Sequence, residues 1–181
     1  MRYHNITKDD MLNGDGLRVV LWVSGCSHCC KECQNPVTWD PNSGILFDES
    51  AKQEIFEQLE KAYISGITFS GGDPLYVQNI SEVTKLAKEI KFDVIRGNIS
   101  EIKTLALGSG TTKGVDADVS DAVTEENLDN AVAFVKDYAK KSGCVIAITG
   151  AIDLVSDGEK CYVIRNGRPE MSKITGTGCQ L

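Results

Sequence analysis

The 181-residue chain has no basic run or stripe, no internal repeat, no low-complexity segment and no long apolar stretch. The first absence argues against nucleic acid as a primary partner. The formal net charge is −7, and acidic side chains outnumber basic ones in both halves. The last absence argues against a membrane span, because the apolar run at 19–23 has only the length of a strand. The N-terminus, Met1-Arg2-Tyr3-His4-Asn5, lacks the apolar centre of a signal peptide, so a cytoplasmic location is expected. What the chain does have is seven cysteines. An odd count, with four of them crowded into 26–33 and no export signal, argues against a disulfide framework and for metal or cluster ligation. The length suits one domain or two small ones, and 41% hydrophobic residues suffice for a core.

Residues 17–24, nearly continuous in apolar and β-branched side chains, predict a buried strand that Gly25 breaks ahead of the cysteine loop. Residues 48–63 predict a helix with an apolar face of Ile55, Phe56, Leu59, Ala62 and Tyr63, ended by Gly66. A short strand at 67–69 runs into Ser70-Gly71-Gly72-Asp73-Pro74. Ser81 then caps a helix whose face is Val83, Leu86, Ala87 and Ile90. Strand, helix, strand, helix implies a parallel sheet.

The second half predicts a strand at 92–95, a short helix at 100–107 and a polar loop at 108–123. A helix starting at Thr124 presents Leu128, Ala131, Val132, Val135 and Ala139 and stops at Gly143. An apolar strand at 144–149 follows, then a turn at Asp157-Gly158, a strand at 161–164 and a turn at Asn166-Gly167. The chain stops at Gly176-Thr177-Gly178-Cys179-Gln180-Leu181, where such a turn would introduce a helix, so a truncated element is expected.

Cys26, Cys30 and Cys33 have the spacing C-x3-C-x2-C. Three thiolates from one loop can wrap a compact metal centre. If they hold a four-iron cube, one iron keeps an open coordination position for a substrate chelate. The bland alternative is structural zinc with Cys29 or His28 as a fourth ligand. Taken alone, Gly71-Gly72-Asp73-Pro74 is an ordinary turn after a strand.

The separate motifs at 13–18, 23–28, 30–35, 38–39 and 70–75, in that order, make residues 1–90 resemble the anaerobic ribonucleoside-triphosphate reductase activating proteins, small radical-SAM oxidoreductases. The resemblance implies that Cys26, Cys30 and Cys33 hold a [4Fe-4S] cluster whose open iron chelates S-adenosylmethionine. Glu32, Cys33 and Gln34 would lie along the nucleoside. Gly71, Gly72 and Asp73 would present backbone groups to the methionine amino end, where glycine permits a close approach. One electron from the cluster would release a 5′-deoxyadenosyl radical, which in that family removes a hydrogen from a glycine of the large reductase subunit, the implied partner. The likeness ends near residue 91.

The runs at 93–98, 113–116, 148–150, 153–158, 166–167 and 173–179 make residues 92–181 resemble hydroxyethylthiazole kinase, a ribokinase-like enzyme of thiamine biosynthesis and salvage. The resemblance implies ATP, with Mg, contacted by Arg96 and Thr149, and a thiazole alcohol contacted by Gly176. Gly176-Thr177-Gly178 would form an anion hole, and Cys179 would stand where related sugar kinases carry the catalytic aspartate. As isolated residues, Arg96 reads as a surface cation and Cys179 as a small buried side chain. The chain departs from the family at Ala151, where an acidic residue is general, and near Arg168, where a histidine is.

The expected architecture is therefore α/β and chimeric. An incomplete radical-SAM partial barrel of β/α units at 1–91 is joined to a fragment of a ribokinase-like α/β sandwich at 92–181. Natural fusions keep whole domains and a linker, and Lys91-Phe92-Asp93 offers neither. Three functions compete: the activase, the kinase, and a non-catalytic fusion product. The strand at 92–95 is expected to extend the first sheet by lying beside the strand at 67–69.

Overall fold

The structure, a computed structural model, describes residues 1–107 and 122–166. Contacts divide the chain into two compact units, one taking in Met1–Lys85 and the other the described part of Leu86–Ile174.

The first unit is built on β1 (Arg2–Asp10), β2 (Leu17–Val23), β3 (Ile45–Leu46) and β4 (Ile64–Gly71), in the order β3-β1-β2-β4. β2 and β4 run parallel, with Trp22 opposite Ser70 and Val23 opposite Gly71. α1 (Glu49–Leu59) crosses between them and packs on both. The strand–helix–strand expectation therefore holds for β2, α1 and β4. The sheet is nevertheless mixed, since β1 and β3 join antiparallel. β1 was not legible because its sequence, RYHNITKDD, buries little apart from Ile6.

Val19, Val20, Leu21 and Val23 have no exposed surface, as a strand covered on both faces requires. Each such side chain contributes about 1.5–3 kcal/mol on burial. α1 starts on Asp48, whose carboxylate accepts from the Ala51 N–H at 2.9 Å, and it buries Ala51 and Ile55. It ends at Leu59, four residues before the expected stop. Tyr63 is exposed, and Gly66 lies inside β4 rather than at the helix end. α2 (Ile80–Glu89) begins one residue before Ser81, its first bond running from the Val83 N–H to the Asn79 carbonyl. Val83 and Leu86 form its buried side.

The second unit carries β5 (Val94–Asn98), β6 (Val145–Thr149), β7 (Asp153–Ser156) and β8 (Cys161–Ile164), ordered β5-β6-β7-β8. β5 pairs in parallel with β6, so it does not extend the first sheet as expected. The pairing takes in all five residues of β5, from Val94 opposite Val145 to Asn98 opposite Thr149. α3 (Ile99–Leu107) and α4 (Leu128–Ser142) pack on this sheet. Ile99, Ile102, Val135, Ala139, Ile146, Ile148 and Leu154 form the core.

Asn98 and Glu101 cap α3 reciprocally. The Glu101 N–H donates to Asn98 Oδ1 at 2.9 Å, and the Asn98 N–H donates to Glu101 Oε2 at 2.7 Å. α4 starts at Leu128 rather than Thr124, and it ends on Gly143 in the left-handed conformation, φ 72°. The loop expected at 108–123 falls largely outside the described residues, as does the turn at Asn166-Gly167 beyond Asn166.

Candidate functional site

Parallel strands bring their carboxyl ends to one edge, where open α/β sheets bind ligands. β2 and β4 do this with the two motifs singled out by sequence. The cysteine loop leaves β2 at Val23, and Gly71-Gly72-Asp73 closes β4 beside it. The Gly72 N–H donates to the Val23 carbonyl and the Asp73 N–H to the Gly25 carbonyl, each at 2.8 Å. A Cβ on Gly72 would stand 2.6 Å from the Gly25 oxygen, so the approach of the two backbones demands glycine.

The loop is closed from below. Gly25 and Cys26 donate their N–H groups to the carbonyls of Thr38 and Trp39 at 2.7 and 3.1 Å. The Cys33 N–H turns back to the Cys30 carbonyl at 3.2 Å. Cys26 and Cys33 are partly buried, while Cys29 and Cys30 are exposed, and all four are free thiols. Burial pushes the Cys26 thiol up. The backbone N–H of His28, bonded to it, pulls it partly back, while charge on Asp73, Cys30 and Cys33 pushes it further up. The Asn35 N–H donates to Cys33 Sγ at 3.4 Å. A backbone N–H group on a cysteine sulfur, as at Cys33, suits a thiolate ligand of an iron–sulfur cluster.

Among the described residues, no three His, Cys, Asp or Glu side chains converge on a point that holds a single metal ion. The cysteines of a four-iron cube bind separate irons and stand farther apart than the ligands of one tetrahedral ion. Cys26, Cys30 and Cys33 are three free thiols of one loop, the donor type that iron–sulfur clusters take. His28, the other candidate zinc ligand, directs Nε2 to Asp73 Oδ2 at 3.4 Å.

One residue with a structural role here escaped the sequence. Asn79 is 1% exposed, and its amide donates to the Ser24 carbonyl at 2.8 Å and the Asp73 carbonyl at 2.9 Å. It ties the root of the cysteine loop to the glycine turn, and no spacing signal marks it. Of the expected nucleoside contacts, Glu32 and Gln34 are exposed, and Glu32 adopts φ 61°.

The site expected in the second half is only partly described. Arg96 and Thr149 lie on the adjacent strands β5 and β6, with Arg96 opposite Ala147 and Asn98 opposite Thr149. That register puts Arg96, Asn98 and Thr149 on one face of the sheet, and the buried Ile146 and Ile148 on the other. Gly176 and Cys179 lie outside the described residues, as does Arg168.

The 4Fe-4S single cluster domain family matches residues 12–142, well over half of the chain. The hydroxyethylthiazole kinase 2 of Methanosphaera stadtmanae is 45% identical over 194 aligned residues, taking in 98% of this chain and 68% of that protein. The chain belongs to the 4Fe-4S single cluster domain family and to the hydroxyethylthiazole kinase family. Two further relatives cover about half of it each. A hydroxyethylthiazole kinase of Clostridium acetobutylicum is 66% identical over 97 residues, which are 54% of this chain and 36% of that protein. The anaerobic ribonucleoside-triphosphate reductase-activating protein of Enterobacteria phage T4 is 45% identical over 91 residues, 50% of this chain and 58% of its own length. The chain thus spans about a third of the one and rather more than half of the other. Likeness to a 4Fe-4S activating protein and to a thiazole kinase over different segments makes it a chimera of the 4Fe-4S and kinase families. No helix of the described residues is long and apolar enough to cross a membrane.

Proposed function

We propose that residues 1–91 form a radical-SAM activase, with Cys26, Cys30 and Cys33 as cluster ligands and Gly71, Gly72 and Asp73 as the S-adenosylmethionine turn. The carrying observation is the docking of the cysteine loop on that turn, through Gly72 N–H to Val23 and Asp73 N–H to Gly25. It brings a three-thiol loop and a glycine-lined backbone together at the carboxyl edge of two parallel strands. The T4 relative supports the same reading and suggests the glycyl-radical subunit of an anaerobic ribonucleotide reductase as the partner.

Bound there, a [4Fe-4S] cluster with S-adenosylmethionine supplies one-electron cleavage of the sulfonium to a 5′-deoxyadenosyl radical. The chain's own part is to bind and to orient. Cys26, Cys30 and Cys33 leave one ligand position for the cofactor. The missing side chains at Gly71 and Gly72 let the methionine end approach the backbone. Asp73 is 8% exposed, and its Oδ1 accepts the Leu75 N–H at 2.8 Å, which fixes the turn. Glu32 and Gln34, exposed beside Cys33, would flank the nucleoside.

The test is anaerobic reconstitution with iron and sulfide. Four irons per chain, broad visible absorption and reductive release of 5′-deoxyadenosine are expected. Purified protein that binds zinc, takes up no iron and leaves S-adenosylmethionine intact would sink the proposal.

A second reading, ATP-dependent phosphorylation of a thiazole alcohol by residues 92–181, is favoured by the 66% identity of the C. acetobutylicum kinase. In it Arg96 and Thr149 contact ATP, Gly176 the alcohol, and Cys179 takes the catalytic position. Phosphoryl transfer depends on positioning and electrostatics. An ATP-coupled assay with the thiazole alcohol decides it, and absence of turnover with Mg and ATP rejects it.

A further inference from the structure

Three successive carbonyls at the root of the cysteine loop, those of Val23, Ser24 and Gly25, all accept hydrogen bonds from residues 72–79. The Gly72 and Asp73 N–H groups take the first and the third, and the side-chain amide of Asn79 takes the middle one, each at 2.8 Å. The same amide nitrogen directs its second hydrogen to the Asp73 carbonyl at 2.9 Å. Asn79 is itself fixed. Its N–H donates to the Tyr76 carbonyl at 2.7 Å, and its carbonyl accepts the Val83 N–H at 3.0 Å as α2 begins. Among the described residues, its Oδ1 is buried without a hydrogen-bond partner. An unpaired buried acceptor works against stability, so what this amide contributes is its two donors.

We propose that Asn79 is a positioning residue for S-adenosylmethionine, holding the Asp73 carbonyl of the glycine turn and the Ser24 carbonyl of the cysteine loop in one fixed arrangement before the cofactor arrives. The inference rests on the activase reading and deepens it. A site whose groups are locked in advance binds more tightly, because less ordering is left to the binding step. The two donors of Asn79 go to Ser24 and Asp73, outside the cysteine run at 26–33. Gly25 and Cys26 have their own bonds to the Thr38 and Trp39 carbonyls. The cysteine loop thus keeps that support when Asn79 is changed. The Asp73 carbonyl keeps only the Tyr76 N–H, at 3.0 Å, and the Ser24 carbonyl loses the Asn79 donor. Cofactor affinity should therefore respond to residue 79, and cluster loading should not.

The test is equilibrium dialysis of S-adenosylmethionine against the reconstituted, oxidised full chain, with iron and sulfide content measured on the same samples. Asn79→Leu keeps roughly the size and shape of the side chain and removes both donors. It is expected to load as much iron as wild type and to bind the cofactor about tenfold more weakly per loaded cluster, the scale of one lost hydrogen bond. A merely structural role would lower iron content and leave the affinity of the loaded fraction at the wild-type value, and that result overturns the inference. Wild-type affinity at full iron content overturns it as well. Where Asn79→Leu takes up no iron, Asn79→Ser decides, because its hydroxyl is too short to bridge both carbonyls. Weakened cofactor binding by loaded Asn79→Ser supports the inference, and wild-type affinity or failure to load overturns it. Wild type that takes up no iron, or that loads and binds no S-adenosylmethionine, defeats the activase reading itself. Wild type that loads and binds, with an affinity indifferent to residue 79, defeats only this inference.

Discussion

The side-chain amide of Asn79 donates to the carbonyl oxygen of Ser24 at 2.8 Å, across 55 positions of sequence. The same nitrogen reaches the Asp73 carbonyl, so one buried side chain holds the cysteine loop at its root and the glycine turn at its end. The first prediction follows from this tie. Asn79→Ala leaves two carbonyl oxygens without that donor, Ser24 being 1% exposed. A loss of about 1–3 kcal/mol is expected, because a buried acceptor loses its partner without regaining water. Urea unfolding of the reduced apoprotein measures it, and an unchanged midpoint rejects it.

Gly72→Ala is expected to be as damaging for a different reason. The new Cβ would lie 2.6 Å from the Gly25 oxygen and 3.0 Å from that of Val23. Both are backbone atoms that cannot swing aside as a flexible side chain can. Overpacking of this kind costs about 1–3 kcal/mol. Thermal unfolding should shift down, and iron uptake should fall with it. Retention of wild-type stability and iron content would show that the two strands end farther apart.

The cysteines separate by substitution. Cys26→Ser, Cys30→Ser or Cys33→Ser should each abolish the visible absorption of the reconstituted protein. Cys29→Ser should leave it intact, since Cys29 lies outside the C-x3-C-x2-C spacing of the other three. Iron and sulfide analysis of the four variants distinguishes them, and loss of iron in Cys29→Ser contradicts the assignment.

In the second unit, Leu154 has no exposed surface and lies in the core with Ile146, Ile148 and Val135. Leu154→Ala should destabilise that unit by about 2–5 kcal/mol, from lost transfer energy plus the cavity left behind. Iron uptake should be untouched if the units unfold independently. Chemical denaturation followed at Trp22 and Trp39, beside far-ultraviolet circular dichroism for the whole chain, separates the two.

Acid should loosen the β7–β8 hairpin. Asp157 accepts the N–H groups of Lys160 at 2.7 Å and Glu159 at 2.9 Å, and these hold its carboxyl below the ordinary aspartate value. A folded-state pKa lowered in this way contributes stability that is present above the unfolded value, about 3.9. That contribution disappears as the pH falls through the lower folded value. Asp157→Asn should therefore lower stability slightly at neutral pH and leave the acid end little changed, which flattens the acid limb of a pH–stability profile. An acid limb identical to wild type rejects the role.

Local chemistry made much of this protein legible from its residues in order. The continuous apolar run of β2, the cap of α1 at Asp48, the glycine stop of α4 and the three-cysteine spacing each depend on neighbours within a few positions. Long-range pairing was not legible. β1 carries too few apolar residues to announce a strand and exists because β2 and β3 complete its hydrogen bonds. β5 was expected beside β4 and pairs with β6, since strand partners are chosen by competition among edges that no local pattern reveals. The role of Asn79 depends on a carbonyl distant in sequence. The chain by itself determined which groups are available for cluster chemistry. The fold decided that the cysteine loop and the glycine turn would share one edge, because only the parallel alignment of β2 with β4 brings their carboxyl ends together.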